Sequence, residues 1–298
     1  MFNKKIIIII LGIWLGGIVV GGWLLFVRGA VDSKYNTKQL KAKKEVVSSE
    51  KVLQEMIHRG DFFYNTDADA DIKYAKAIYD CQINEINLFS GDGGIVEDKI
   101  NKVINSITKT TGSGNLLGWV IYYDNPGSKY IASAEYNIKT RQWDIFVNLS
   151  MARENEQETI ITIIHEFAHI ISLNKEQMYT KIPQKICWTH FVPEGCLKKE
   201  SYLYKFWREF WKGNYLENEL DTDGYAKEHY QKSPDKYVTE YAATNPAEDF
   251  AESFMFFITG DDYGNKQIAG KKVDFFQQYS EFYKAKSDIL QNFKNILK

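Results

Sequence analysis

The chain has 298 residues, 37 basic and 39 acidic, for a formal charge of −2. A balance this close to neutral argues against a nucleic-acid binder driven by phosphate contacts. A single long apolar run, Ile6 to Val27, argues against a multi-span channel or transporter.

That run is 22 residues without a charge. As a helix it spans about 30 Å, the thickness of a bilayer's hydrocarbon core. It is longer than a signal-peptide apolar region, and the exit at Phe26-Val27-Arg28-Gly29-Ala30 is a poor cleavage site. No cysteine follows it closely, which excludes lipoprotein processing. The run therefore reads as an uncleaved anchor behind a short tail at residues 1–5. Lys4 and Lys5 precede the run; Arg28, Lys34, Lys38, Lys41, Lys43 and Lys44 follow it. The two groups disagree about orientation. Because large C-terminal domains often translocate regardless of charge, the C-terminal part is placed outside the cytoplasm.

The 271 residues after the run carry 35 basic and 39 acidic side chains and can bury a sizeable core. Residues 28–60 read as a lysine-rich stalk that becomes a helix. Asp67-Ala-Asp-Ala-Asp71 is not an EF-hand loop, since its sixth and twelfth positions hold Ile72 and Ile78. The acids instead predict a helix start, running to about Phe89 with Ile72, Ala75, Ile78, Tyr79, Ile83 and Ile86 inward. A second helix follows the Gly-rich break at Ser90–Gly94 and runs to about Thr108. Leu116–Tyr123, Tyr130–Tyr136 and Trp143–Leu149 read as strands, with a turn at Asn125-Pro126-Gly127. Together they predict a small antiparallel sheet.

Residues 165–169 read His-Glu-Phe-Ala-His within an apolar helical pattern from about Glu154 to Leu173. Histidine is scarce, five in the whole chain. At i and i+4, His165 and His169 share a helix face and can hold one Zn²⁺ ion. Glu166, beside the first ligand, is placed to take a proton from a metal-bound water. A catalytic zinc usually has a third protein ligand. The metzincin positions hold Ser172 and Lys175, and the thermolysin-like position holds Thr189, so both patterns are excluded.

Further along, Asn245-Pro246 is a helix start with Glu248 at the capping-box position. Glu248 and Glu252 lie one turn apart, and Phe250, Phe254 and Phe257 would pack inward. Glu248 is then the candidate third ligand and Glu252 a candidate partner of a ligand histidine. Asp249 is the main rival to Glu248 but lies about 100° around the helix. His58, His190 and His229 read as surface or structural residues. Cys187 and Cys196 bracket a short aromatic segment and are either a disulfide or two buried thiols; Cys81 is left over for a core.

His165-Glu-Phe-Ala-His169 followed by Tyr241-Ala-Ala-Thr-Asn-Pro-Ala-Glu248-Asp-Phe-Ala-Glu252 resembles the zinc metalloproteases related to the catalytic domain of anthrax lethal factor, a gluzincin group that includes Pro-Pro endopeptidases. The resemblance implies an α+β zincin-like fold over 61–298, with a small mostly antiparallel sheet that has Trp143–Asn148 at its edge, the HExxH helix and a C-terminal helical part. It implies Glu248 as third ligand, Glu252 as the second glutamate of the motif, and Tyr241, seven residues before Glu248, as oxyanion donor. The interval between the metal-ligand helices is long, and residues 174–240 are expected to form a cap or substrate wall.

The sequence thus describes a membrane-anchored, monomeric zinc endopeptidase acting on extracytoplasmic peptides or proteins, with no nucleic-acid partner. The rival is a non-catalytic cell-surface binding protein on the same scaffold; the 15% aromatic content suits glycan or peptide surfaces and equally suits ordinary packing. A second rival is a protease facing the cytosol near the membrane.

Overall fold

The computed structural model describes residues 71–79, 82–84, 94–126, 130–137, 141–213 and 223–297. The apolar run Ile6–Val27, the stalk, His58 and Cys81 lie outside these residues. Among the described residues no helix is long and apolar enough to cross a membrane.

The first strands correct the sequence reading. Asp71–Tyr79 is strand β1 and Gln82–Asn84 is β2, where a helix over 67–89 was expected. They pair antiparallel, with Ile78 opposite Ile83. Short apolar segments fit either period, and pairing with a distant strand decides between them. Here that partner is β3, Leu117–Asp124, which pairs antiparallel with β1 from Asp71–Asp124 to Ala77–Trp119. Helix α1, Gly94–Thr111, intervenes in sequence and buries Ile100, Val103, Ile104 and Ile107.

Strands β4 (Ala132–Asn137) and β5 (Gln142–Asn148) complete a five-stranded sheet in the order β2-β1-β3-β5-β4. β5 lies between β3 and β4. It runs parallel to β3 and antiparallel to β4, so the three strands do not form the antiparallel meander expected of them. The edge is β4, not β5. Asn148 accounts for the detour. Its Oδ1 accepts the Asn125 N–H at 3.2 Å, and its Nδ2 donates to the Asn125 carbonyl at 2.8 Å and the Tyr130 carbonyl at 3.3 Å. One buried amide thus holds both ends of the β3–β4 connection against the end of β5. The Asn125-Pro126 signal marks the exit from β3 and makes no hairpin.

Asn148 also caps the short helix α2, Leu149–Glu154. Helix α3, Glu156–Ser172, follows, capped by Asn155. Ile160, Ile163, Ile164, Phe167, Ala168, Ile170 and Ile171 are buried, as the periodicity predicts. The Trp143 indole N–H donates to the Leu173 carbonyl and ties the end of α3 to β5.

The 174–240 interval is a built part of the fold. Met178–Tyr179 (β6), Phe191–Val192 (β7) and Gly195–Leu197 (β8) form a small sheet, order β6-β8-β7, closed by a Cys187–Cys196 disulfide. Helix α4, Tyr202–Phe210, sends Phe206 and Trp207 into the core; α5, Asp223–Lys232, follows. Helix α6, Pro246–Thr259, begins where the Asn245-Pro246 signal places it. Asn245 accepts the Ala247 and Glu248 N–H groups, and Gly260 ends the helix in the left-handed region.

Helices α7 (Gln267–Asp274) and α8 (Ser280–Leu297) close the far side, joined by Phe275–Gln278. Phe276, fully buried, has ring centroids of Phe250, Phe254 and Phe257 at 5.0, 5.3 and 5.7 Å, and of Phe206 and Phe282 at 6.3 and 6.0 Å. This aromatic cluster sits behind α6 and fixes its inner face. Phe276→Ala should lower stability by about 3–5 kcal/mol through lost burial and a cavity that rings cannot fill. Denaturant unfolding would measure it; a cost below about 1 kcal/mol would show that the cluster does not set the position of α6.

Candidate metal centre

Residues one turn apart on a helix face the same way, so α3 projects both imidazoles together. His165 Nε2 and His169 Nε2 are 3.2 Å apart. Helix α6 brings Glu248 to them. Its Oε2 lies 3.1 Å from His165 Nε2 and 3.3 Å from His169 Nε2. Three ligating atoms from two helices therefore form a triangle with edges of 3.1–3.3 Å. Ligands about 2.0–2.1 Å from a tetrahedral zinc are separated by about 3.3–3.4 Å, so the donor set and its spacing fit that ion. Among the described residues this is the group of His, Cys, Asp or Glu able to hold a metal.

The surroundings orient the triangle. His165 Nδ1 lies 2.7 Å from Glu252 Oε1; an Nδ1–H donated to that carboxylate would, once the Nε2 proton is lost to a metal, leave the Nε2 lone pair facing Glu248 and His169. The other Glu252 oxygen accepts the Thr239 hydroxyl at 2.6 Å. Tyr241 lies in a short 3₁₀ turn, Tyr241–Ala243, with its ring centroid 5.9 Å from that of His165. Its hydroxyl donates to Glu248, while 53% of the residue remains exposed, so it stands on the open side of the site. Glu166 lies against the same groups and accepts the N–H of Ala134 on edge strand β4.

The electrostatics follow from burial and proximity. Burial pulls the His165 imidazole down, but the Glu248 and Glu252 carboxylates bonded to it outweigh that and raise its pKa to about 10. His169 is also raised, with Glu248 overcoming burial. Burial acts to raise Glu248, and the two imidazoles more than reverse it, holding the carboxyl far below its ordinary range. Glu166 is raised, chiefly by burial, with the imidazoles opposing. Tyr241 is raised by burial and by the surrounding carboxylates, which keeps its hydroxyl a donor at neutral pH.

A family model described as "Putative zinc-binding metallo-peptidase" (Peptidase_Mx1) matches residues 114–296. The chain belongs to this zinc-binding metallo-peptidase family. No curated protein and no solved structure matches it significantly.

Within this metallo-peptidase the rival residues are placed elsewhere. Asp249 is fully buried and turned away from the imidazoles, bonded to Lys272 Nζ at 2.5 Å and to the Trp211 indole at 2.6 Å. It anchors the helix that carries Glu248. His190 stacks on Trp207 at 4.5 Å, and burial lowers its pKa to about 4, so it is a neutral packing residue. Thr189 donates to the Leu197 carbonyl inside the small sheet. His229 lies on α5. Two residues that touch the site were missed. Thr239 has a local signal, a hydroxyl placed to cap the turn at Ala242, but nothing local announces its bond to Glu252. Ala134 has no signal, because its contribution is a backbone N–H set by the sheet.

Two outcomes follow. Glu248→Ala should weaken zinc binding far more than Asp249→Ala per folded molecule, read by chelator competition; the reverse order would remove Glu248 from the ligand set. Zinc must also displace the proton that His165 holds up to a pH of about 10. Apparent affinity should therefore rise with pH across the neutral range, by about tenfold per unit for each proton released. A flat affinity between pH 6 and 8 would contradict a protonated metal-free site.

Proposed function

We propose that the chain is a zinc-dependent endopeptidase of the gluzincin kind, related in its site to the lethal-factor group. The observation that carries this reading is the convergence of His165, His169 and Glu248 with Glu166 and a protonated Tyr241 beside them. Zinc held by His165, His169 and Glu248 would supply Lewis acidity and a water acidified toward neutrality.

The remaining work falls to the chain's own groups. A Glu166 carboxylate oxygen takes the proton of the attacking water and returns it to the leaving amine. Its raised pKa brings it closer to the operating pH for both transfers. Tyr241 Oη donates to the developing oxyanion, a contribution worth roughly 10²–10³ in turnover. Glu252 holds the His165 tautomer.

Edge strand β4 offers the substrate an extended partner. The Asn148 N–H donates to the Ile131 carbonyl, and alternation turns the main-chain groups of Ala132, Ala134 and Tyr136 away from β5. The Ala134 N–H is already used by Glu166. An extended peptide pairing at Ala132 or Tyr136 would thus pass beside the general base.

The proposal places this monomeric catalytic unit on the extracytoplasmic face, tethered through Ile6–Val27. The Cys187–Cys196 disulfide supports an oxidising compartment, and the length of the apolar run supports the tether. Substrates would be peptides or proteins at that face. Glu166→Gln is the test: the full chain in detergent or nanodiscs should keep stoichiometric zinc and lose cleavage of a peptide library by at least about a hundredfold. Retained cleavage would overturn Glu166 as the base. No cleavage by the zinc-loaded wild type would favour a binding protein on the same scaffold.

A further inference from the structure

We infer that Thr239 is a positioning residue that ties the oxyanion donor Tyr241 to the imidazole partner Glu252; the inference rests on the proposed peptidase reading and extends it. The Thr239 hydroxyl makes two bonds that fix its direction. Oγ1 accepts the Ala242 N–H at 3.1 Å, in the turn that carries Tyr241, and donates to Glu252 Oε2 at 2.6 Å. Glu252 in turn accepts the His165 Nδ1–H through its other oxygen. One hydroxyl therefore lies between the two sides of the site, the ligand imidazole and the turn of the oxyanion donor.

The residue type matters. Glu252 is buried, so each of its oxygens needs a partner, and the described bonds supply one donor to each. The Ala242 N–H takes one lone pair of the hydroxyl, the hydroxyl hydrogen goes to the accepting carboxylate oxygen, and the β-branched side chain has few other rotamers. The backbone just before Thr239 is held as well. Lys266 Nζ donates to the Tyr237 and Val238 carbonyls at 3.0 and 3.2 Å. Thr239 thus projects from a fixed segment, and loss of its hydroxyl frees both Glu252 and the Tyr241 turn.

Thr239→Val, Thr239→Ser and Tyr241→Phe test this in the full chain. Thr239→Val should weaken zinc, measured by chelator competition, by about 10–100-fold, the usual effect of losing a group behind a ligand. The melting temperature of the metal-free chain should stay near wild type, and Thr239→Ser should restore most of the affinity. On a cleaved peptide, kcat should fall on the order of tenfold with KM little changed. In a Tyr241→Phe background the Thr239→Val effect on kcat should shrink, because the group it positions is gone. Unchanged zinc affinity in folded Thr239→Val overturns the inference, as does a loss that serine fails to rescue. Fully additive effects with Tyr241→Phe overturn the link to Tyr241. If Thr239→Val does not fold, Thr239→Ala takes its place, and failure of both assigns the residue to the fold and overturns the proposal. If the wild type cleaves nothing, the peptidase reading fails while the zinc measurement still decides this one.

Discussion

Three electronegative atoms held 3.1–3.3 Å apart repel one another unless something positive lies among them. That constraint governs the centre of this protein. Protons meet it in the metal-free site, which is why both imidazoles titrate high while Glu248 stays ionised. A divalent cation meets it better, because it satisfies all three atoms at once. The fold must hold two helices in place against this repulsion.

The reinforcement comes from both sides of α6. On one side the phenylalanines of α6 pack into the cluster around Phe276. On the other, Asp249 reaches through the core to Lys272 and Trp211, and the Lys272 ammonium lies 4.3 Å from the Tyr237 ring centroid. A buried ion pair of this kind adds little net stability, and its directional bonds fix a helix in rotation. Rotation is what the site requires, since Glu248 and Asp249 are adjacent and only one can face the imidazoles. On the α3 side, the Trp143 bond to Leu173 and the run of isoleucines hold the helix against the sheet. The long interval between the ligand helices adds Phe206 and Trp211 to this support, beyond any role as a wall.

Local patterns carried part of this. His-Glu-Phe-Ala-His inside an apolar period reads as a helix with two ligands on one face, since i and i+4 are neighbours on any α-helix. Asn245-Pro246 marks a helix start because the cap and the proline act within one turn. Strands β3, β4 and β5 were read well one by one, but the parallel pairing of β3 with β5 and the edge position of β4 were not. Asp71–Tyr79 looked helical because a short segment of mixed residues fits both periods, and its partner strand lies more than forty residues away. The place of β5 inside the sheet depends on Asn148 holding a distant connection, which no local signal describes.

The sequence by itself determined which side chains could form a metal site: the two histidines, the glutamate beside the first and a carboxylate at a helix start are each properties of a single turn of chain. The tertiary structure decided which carboxylate faces the imidazoles, which strand forms the edge beside Glu166, and that Thr239 joins Glu252 to the Tyr241 turn. The physical reason is range. Helix caps and same-face ligands are set by neighbours three or four residues apart, whereas the register of a sheet and the rotation of a helix are set by packing among residues far apart in the chain.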